Sequence, residues 1–177
     1  MLPSTRHDPF LLAAAALGLV HAAASASWGL GSPWLASTVG EWAVSWRAEE
    51  PLLVGAVLLA VAAVKAAAAV LPLVRDRLPA PRWTTSACWA GALGLTVYGL
   101  VNAASAWLVL AGVAGDGTAD RAALWGHAAL WDPMFAAWGL LLVVGLRRPS
   151  TGTGPVRATA QAPSRSSAVA STSGSTR

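Results

Sequence analysis

The sequence predicts an all-α fold, an up-down bundle of four transmembrane helices with both termini cytoplasmic. Three observations carry this reading. The 177 residues are 55% hydrophobic and only 11% charged, whereas soluble domains carry roughly 25% charged residues. A bilayer is therefore the natural solvent. The apolar residues gather into four runs, each near the roughly 20 residues that a spanning helix needs. Finally, the arginines fall on alternate sides of those runs.

The first run is about Phe10–Trp28 and the second about Pro51–Val74, entered through Pro51 and closed near Pro72. The third is about Ser86–Gly112 and the fourth about Leu124–Leu146. The connections are Gly29–Glu50, the short Arg75–Thr85 link and Val113–Ala123. Short connections make neighbouring helices antiparallel. Residues 1–148 thus read as one membrane domain. The remainder, 149–177, is rich in Ser, Thr, Ala, Gly and Pro, with Arg157, Arg165 and Arg177 and no acid. Such a segment cannot bury a core and is read as a disordered cytoplasmic tail, either inert or weakly drawn to anionic lipid.

Charge sets the orientation. Arg6 precedes the first run, Arg75, Arg77 and Arg82 occupy the second connection, and Arg147 and Arg148 follow the fourth run. All three regions fall on one side. The other side holds Arg47 and Arg121 among Glu41, Glu49, Glu50, Asp116 and Asp120. Arginine near span ends favours the cytoplasm, so both termini are expected inside; the expected location is the cell membrane, a bacterial inner membrane. Trp28, Trp34, Trp42, Trp46, Trp107 and Trp125 cluster at or beyond the outer ends, and Trp83 and Trp89 at the inner end of the third run. Indoles favour the interface, where the ring is half buried and the N–H stays wet. Trp28, Trp42, Trp46, Trp107, Trp125 and Trp131 are the expected interface anchors. Trp42 and Trp46, four residues apart, share one face of a short amphipathic helix expected in the Gly29–Glu50 connection. That face is either a lipid anchor or a surface for a partner. A second reading of the first run is a cleavable signal peptide, with Arg6, the apolar Phe10–Val20, and Ala24-Ser25-Ala26 as the cleavage site.

Other classes fit poorly. The pI near 10.6 comes from arginines that flank apolar runs, and no nucleic-acid motif accompanies them. Cys88 is the single cysteine, so neither an intrachain disulfide nor a thiolate metal cluster can form. There is no HExxH, Gly-rich phosphate loop, G-x-S-x-G or Cys/His cluster. No metal, cofactor or catalytic residue is assigned.

Lys65 is the only lysine and lies inside the second run, where a charge requires a partner, a water-filled cavity or escape to the interface. From a rise of about 1.5 Å per residue, His21 lies about 10 Å below the outer ends, Asp132 about 12 Å, Asn102 about 15 Å, and Tyr98 and Lys65 about 21 Å. Tyr98, Asn102 and Ser105 line one face of the third helix, and His21, Ser25 and Trp28 one face of the first. Small residues flank Lys65 (Ala62, Ala66, Ala69) and Asp132 (Ala129, Ala136, Gly139), which marks those faces for close helix packing. Lys65, Asp132, Asn102, Tyr98, His21 and His127 are therefore the candidate polar cluster, structural or functional. Its centre is expected to be a Lys65–Asp132 ion pair helped by Asn102 and Tyr98. Two alternatives for Lys65 are a cavity without direct pairing and snorkelling past Val74. Asp132, followed by Pro133, also reads as an N-cap at a helix break. His21 and His127 could be imagined as axial haem ligands, though at depths about a turn apart.

These residues resemble an actinobacterial family of small multi-pass membrane proteins of unknown function. The likeness runs from Ala-Val-Lys at 63–65 through a basic, Pro-containing loop, Trp89-Ala90-Gly91, Tyr98-Gly99 and Asn102. It continues to Gly126-His127, Leu130-Trp131-Asp132-Pro133 and Gly139-Leu140. The resemblance implies a four-helix integral membrane protein and no known reaction, substrate or cofactor. Ser27-Trp28-Gly29 departs from a more aromatic start followed by Gly-Gly, which bears on any role for His21.

Three functions compete. In the first, the protein is non-enzymatic and the polar cluster stabilises helix packing, with the bilayer, a second copy or another membrane protein as partner. In the second, it is a small transporter or proton-coupled module using the cluster as a midplane site, which four helices would complete as a homo-oligomer. A membrane redox or lipid-modifying enzyme is a third.

Overall fold

Helix starts follow from prolines and short acidic caps. In the computed structural model, which describes residues 8–115 and 120–148, α1 spans Pro9–Gly29. Asp8 caps it by accepting from the Phe10 N–H at 2.8 Å and the Leu11 N–H at 3.4 Å, which satisfies two donors that an open helix end would orphan. A short helix α2 (Glu41–Glu49) follows, then α3 (Pro51–Val74), α4 (Pro81–Leu110) and α5 (Arg121–Gly126). Pro51 and Pro81 sit where a missing N–H costs nothing. Asp120 caps α5, accepting from the N–H groups of Ala122 at 2.9 Å and Ala123 at 3.2 Å. A π turn, His127–Trp131, leads into α6 (Asp132–Arg147). The expected disordered tail and the Asp116 side of the last connection lie outside the described residues.

Among the described residues there is no strand, and four helical stretches are long and apolar enough to cross a membrane: Pro9–Gly29, Pro51–Arg77, Arg82–Leu110 and Arg121–Arg147. The helix that carries the third, α4, starts five residues earlier than the sequence suggests, because Pro81 opens it and Arg82 to Thr85 continue it. The packing order across the bundle is α3, α1, α6, α4: α3 lies along α1, α1 meets α6, and α6 lies along α4. α1 and α6 are central, whereas α3 and α4 keep most of their surface outside the bundle.

At the arginine-rich end the core is built by shape. Leu11, Ala14, Ala69, Ala92, Trp138 and Leu142 form one buried cluster with contributions from all four long helices. Trp138 is 1% exposed, and a methyl group on Gly18 would overlap its ring. The α4–α6 contact uses two glycines in reciprocal positions. Gly99 of α4 sits against the backbone of Asp132 and Ala136, and Gly139 of α6 against Ala92 and Thr96. Such close approach gives the dispersion contact that drives association in lipid, where tails are as apolar as leucine. Arg148 approaches Asp8 at 3.7 Å and lies over the Phe10 ring at 4.3 Å, so the end of α6 is tied to the start of α1.

At the opposite end the long α1–α2 connection folds back onto the bundle. Leu35, Ala36 and Val39 pack on Ala24, Trp28 and Trp131. Trp28 donates its indole N–H to the Trp34 carbonyl at 2.6 Å, and Trp131 donates to Thr38 Oγ1 at 2.9 Å. Arg47 of α2 donates to the Trp28 carbonyl. Trp28 and Trp131, expected as interface anchors, are instead buried beneath this connection and meet edge to face at 5.0 Å. The reason is that their N–H groups find protein acceptors and have no need of water. Trp42, Trp46, Trp107 and Trp125 remain exposed, and the first two stack at 6.5 Å on one face of α2.

Candidate functional site

Lys65, His21 and Ser25 come together where α1, α3 and α6 meet. A Cα–Cβ bond leans toward the start of its own helix. α3 starts at the tryptophan-rich end and α1 at the arginine-rich end, so Lys65 and His21 lean toward each other. By helix rise, His21 is about 12 Å from the Gly29 end of α1 and Lys65 about 21 Å from the Pro51 end of α3. The long lysine closes that gap. Its Nζ donates to Ser25 Oγ at 2.9 Å and lies 3.2 Å from His21 Nδ1. Ser25 and His21 are 1% and 4% exposed. Their spacing of four residues on α1 presents both to one ammonium. The Phe135 ring of α6 completes the arrangement, tilted by 35° against the His21 ring at 4.0 Å, with Lys65 Nζ 5.3 Å from its centroid.

Asp132 belongs to a second grouping. Its carboxylate, 1% exposed, is held by His127 Nδ1 at 3.0 Å. The two residues are five apart. In a regular α-helix such positions lie about 140° apart around the axis, and their side chains cannot meet. The π turn His127–Trp131 removes that offset. Its cause is local: Pro133 has no N–H, and its ring would clash with the carbonyl four residues back. A widened turn absorbs both effects. The backbone runs through Asp132 in helical geometry, and the carboxylate takes an imidazole rather than a backbone N–H. Asp132 therefore does not act as an N-cap. His127 Nε2 lies 3.4 Å from the Val39 carbonyl, which carries the grouping to the folded-back connection.

The expected Lys65–Asp132 ion pair is not formed. Among the described residues, no acid lies within 4.0 Å of Lys65, and Asp132 is taken by His127. Depth along a helix is a sound guide to which residues share a layer, but it says nothing about azimuth. Asn102, expected as a helper, instead donates to the Tyr98 carbonyl of its own helix at 2.8 Å. Such backbone bonding satisfies an amide without a neighbour. Tyr98 is 51% exposed and meets the site only through its ring, edge to face with Phe135 at 5.4 Å. The cluster is thus two separate groupings, and the Lys65–His21 one is linked to the Tyr98 ring by Phe135. Sequence reasoning misses that residue because it takes apolar positions only as packing. The available signal is its place one turn after Asp132, as one of only two phenylalanines in the chain.

Neither grouping is a metal-ligand cluster. Among the described residues no three His, Cys, Asp or Glu side chains gather to hold a metal ion. A separate groove of about 190 Å³ lies under α2, lined by Trp28, Trp42, Trp46, Arg47, Val54 and Leu58 among others. It is nearly all apolar and carries no nucleophile paired with a base.

No curated protein and no solved structure matches the chain. The model of one family, described as "Protein of unknown function (DUF3995)", matches residues 9–142. That span takes in α1, α3, α4, most of α6 and both polar groupings, and the chain belongs to this family of proteins of unknown function.

Proposed function

We propose that this chain is a non-enzymatic multi-pass protein of the cell membrane, with both termini cytoplasmic, whose intramembrane polar groups fix which helices meet. The observation that carries this reading is the Lys65–His21–Ser25 contact, the one polar side-chain bridge between α3 and α1 among the described residues. In lipid no hydrophobic force brings two apolar helices together, so interhelical hydrogen bonds and tight packing must do so. A flanking helix as alanine-rich as α3 has little shape to specify its register. One lysine that finds acceptors only at a single height supplies it. The orientation rests on Arg75, Arg77, Arg82, Arg147 and Arg148, all at one end of the bundle.

The test is a cycle in purified protein and in membranes. Lys65→Met is compared with His21→Leu/Ser25→Ala and with all three changes together. Removing only the acceptors leaves an unpaired ammonium in the bundle and should cost on the order of 2 kcal/mol or more. That loss should appear as lower membrane accumulation and a lower unfolding temperature. Adding Lys65→Met should restore much of it, since an apolar replacement removes the buried charge. If the acceptor double change is silent on both measures, the contact does not hold the helices and this reading fails.

A further inference from the structure

The Lys65 grouping has donors to spare and no anion. An ammonium only donates, so His21 Nδ1 accepts from it and the neutral imidazole carries its hydrogen on Nε2. That Nε2 is buried and has no partner among the described residues. Two of the three lysine hydrogens are used, on His21 and Ser25. Hydrogen bonds to Lys65 therefore leave one ammonium hydrogen and one formal positive charge uncompensated. A second copy of the chain cannot supply the missing charge. Asp132 is the one acid within α1, α3, α4 and α6, and it is buried on His127.

Access to Lys65 is apolar. It borders a groove along α3 formed with Val57, Ala60, Val61 and Val64, all four exposed on the outside of the bundle. In a spanning helix that surface faces hydrocarbon. An inorganic anion would cross this layer at prohibitive cost, whereas a long-chain amphiphile already resides in it. A neutral carbonyl head group would accept hydrogen bonds but leave the charge uncompensated, and a carboxylate does both.

We propose that Lys65, with Ser25 and His21 behind it, is the head-group site for the carboxylate of a membrane-dissolved long-chain fatty acid. Its hydrocarbon tail lies in the α3 groove of Val57, Ala60, Val61 and Val64. The proposal uses the same contact as the packing role above but does not depend on it, because ligand binding and helix registry are read by different measurements.

The test uses the full chain in lipid nanodiscs with palmitate labelled with carbon-13 at the carboxyl, observed by NMR. A protein-bound carboxylate resonance distinct from bilayer palmitate is expected. It should be lost in Lys65→Gln and weakened in Ser25→Ala. On the unmodified protein, unlabelled palmitate should displace the signal at least tenfold more effectively than its methyl ester, which keeps the tail and lacks the charge. This competition needs no variant to fold. Absence of a bound resonance overturns the proposal. So does a resonance that survives Lys65→Gln, or methyl palmitate competing as well as the acid. Displacement by a quinone as effectively as by the free acid would also overturn it, in favour of a neutral acceptor.

Discussion

The two ends of this bundle are held by different physics. At the arginine-rich end, contacts are made by volume: a tryptophan ring against a glycine, alanines at helix crossings, and a leucine against Gly145. At the tryptophan-rich end, side-chain hydrogen bonds join the apolar packing, from Lys65 on Ser25 to Trp131 on Thr38. The difference teaches where specificity comes from in a chain this rich in alanine. Shape alone can specify α1 against α6, where Trp138 has a single place to go. A folded-back loop and an alanine helix offer less of it, and there the side chains that cost most to bury add to what fixes position.

The sharpest way to break the shape-determined end is Gly18→Leu. The new side chain would meet Trp138 and Ala69 directly, and a buried indole has no free rotamer to retreat into. Overpacking costs about 1–3 kcal/mol and sometimes more, and this substitution should reach the top of that range. A thermal unfolding curve in detergent should show a larger loss than Asp132→Leu or Thr38→Val causes at the other end. A near-wild-type curve would mean that α1 and α6 do not meet as tightly as the Trp138 contact requires.

At the polar end, Asp132 separates charge from hydrogen bonding. Asp132→Leu removes the acceptor for His127 and should cost about 1–3 kcal/mol, the range for a buried polar group left unmatched. Asp132→Asn keeps an acceptor of the same shape and should cost less. The comparison is read from unfolding temperatures of the two variants. Equal loss in both would assign the role to the negative charge, and the hydrogen-bonding account of this end would fail.

Much of this architecture is legible in the sequence, for identifiable reasons. Spans are legible because hydrocarbon thickness fixes their length and composition, and α3 begins and ends at Pro51 and Val74 as its apolar run predicts. The face shared by His21, Ser25 and Trp28 is legible from spacing, and all three are buried. Partner choice is not legible. Charge and depth pair Lys65 with Asp132, but the packing order α3, α1, α6, α4 sets α1 against Lys65, and no periodicity encodes that order. The π turn is equally hidden. Asp132-Pro133 announces a disturbance, but whether the helix stops or widens depends on what covers the turn. Here Gly126 lies so close to Thr38 that a Cβ would not fit, so the connection grips the turn and the helix continues.

That grip offers the smallest and most local test of the contrast between the ends. Thr38 Oγ1 accepts from the Trp131 indole and donates to the Leu35 carbonyl at 2.6 Å. Thr38→Val keeps the volume and branching of the side chain and deletes both bonds. It leaves a buried N–H on Trp131 without its acceptor, at a cost of about 1 kcal/mol. The loss should be confined to the connection, because the spanning helices keep their contacts. Hydrogen exchange should therefore rise at Ala36 to Val39, whose backbone bonds are short 3₁₀ links, with little change in α1 or α6. Uniformly faster exchange through the long helices would show that the connection is part of the cooperative core, and the two ends would then be one structure held by both kinds of contact.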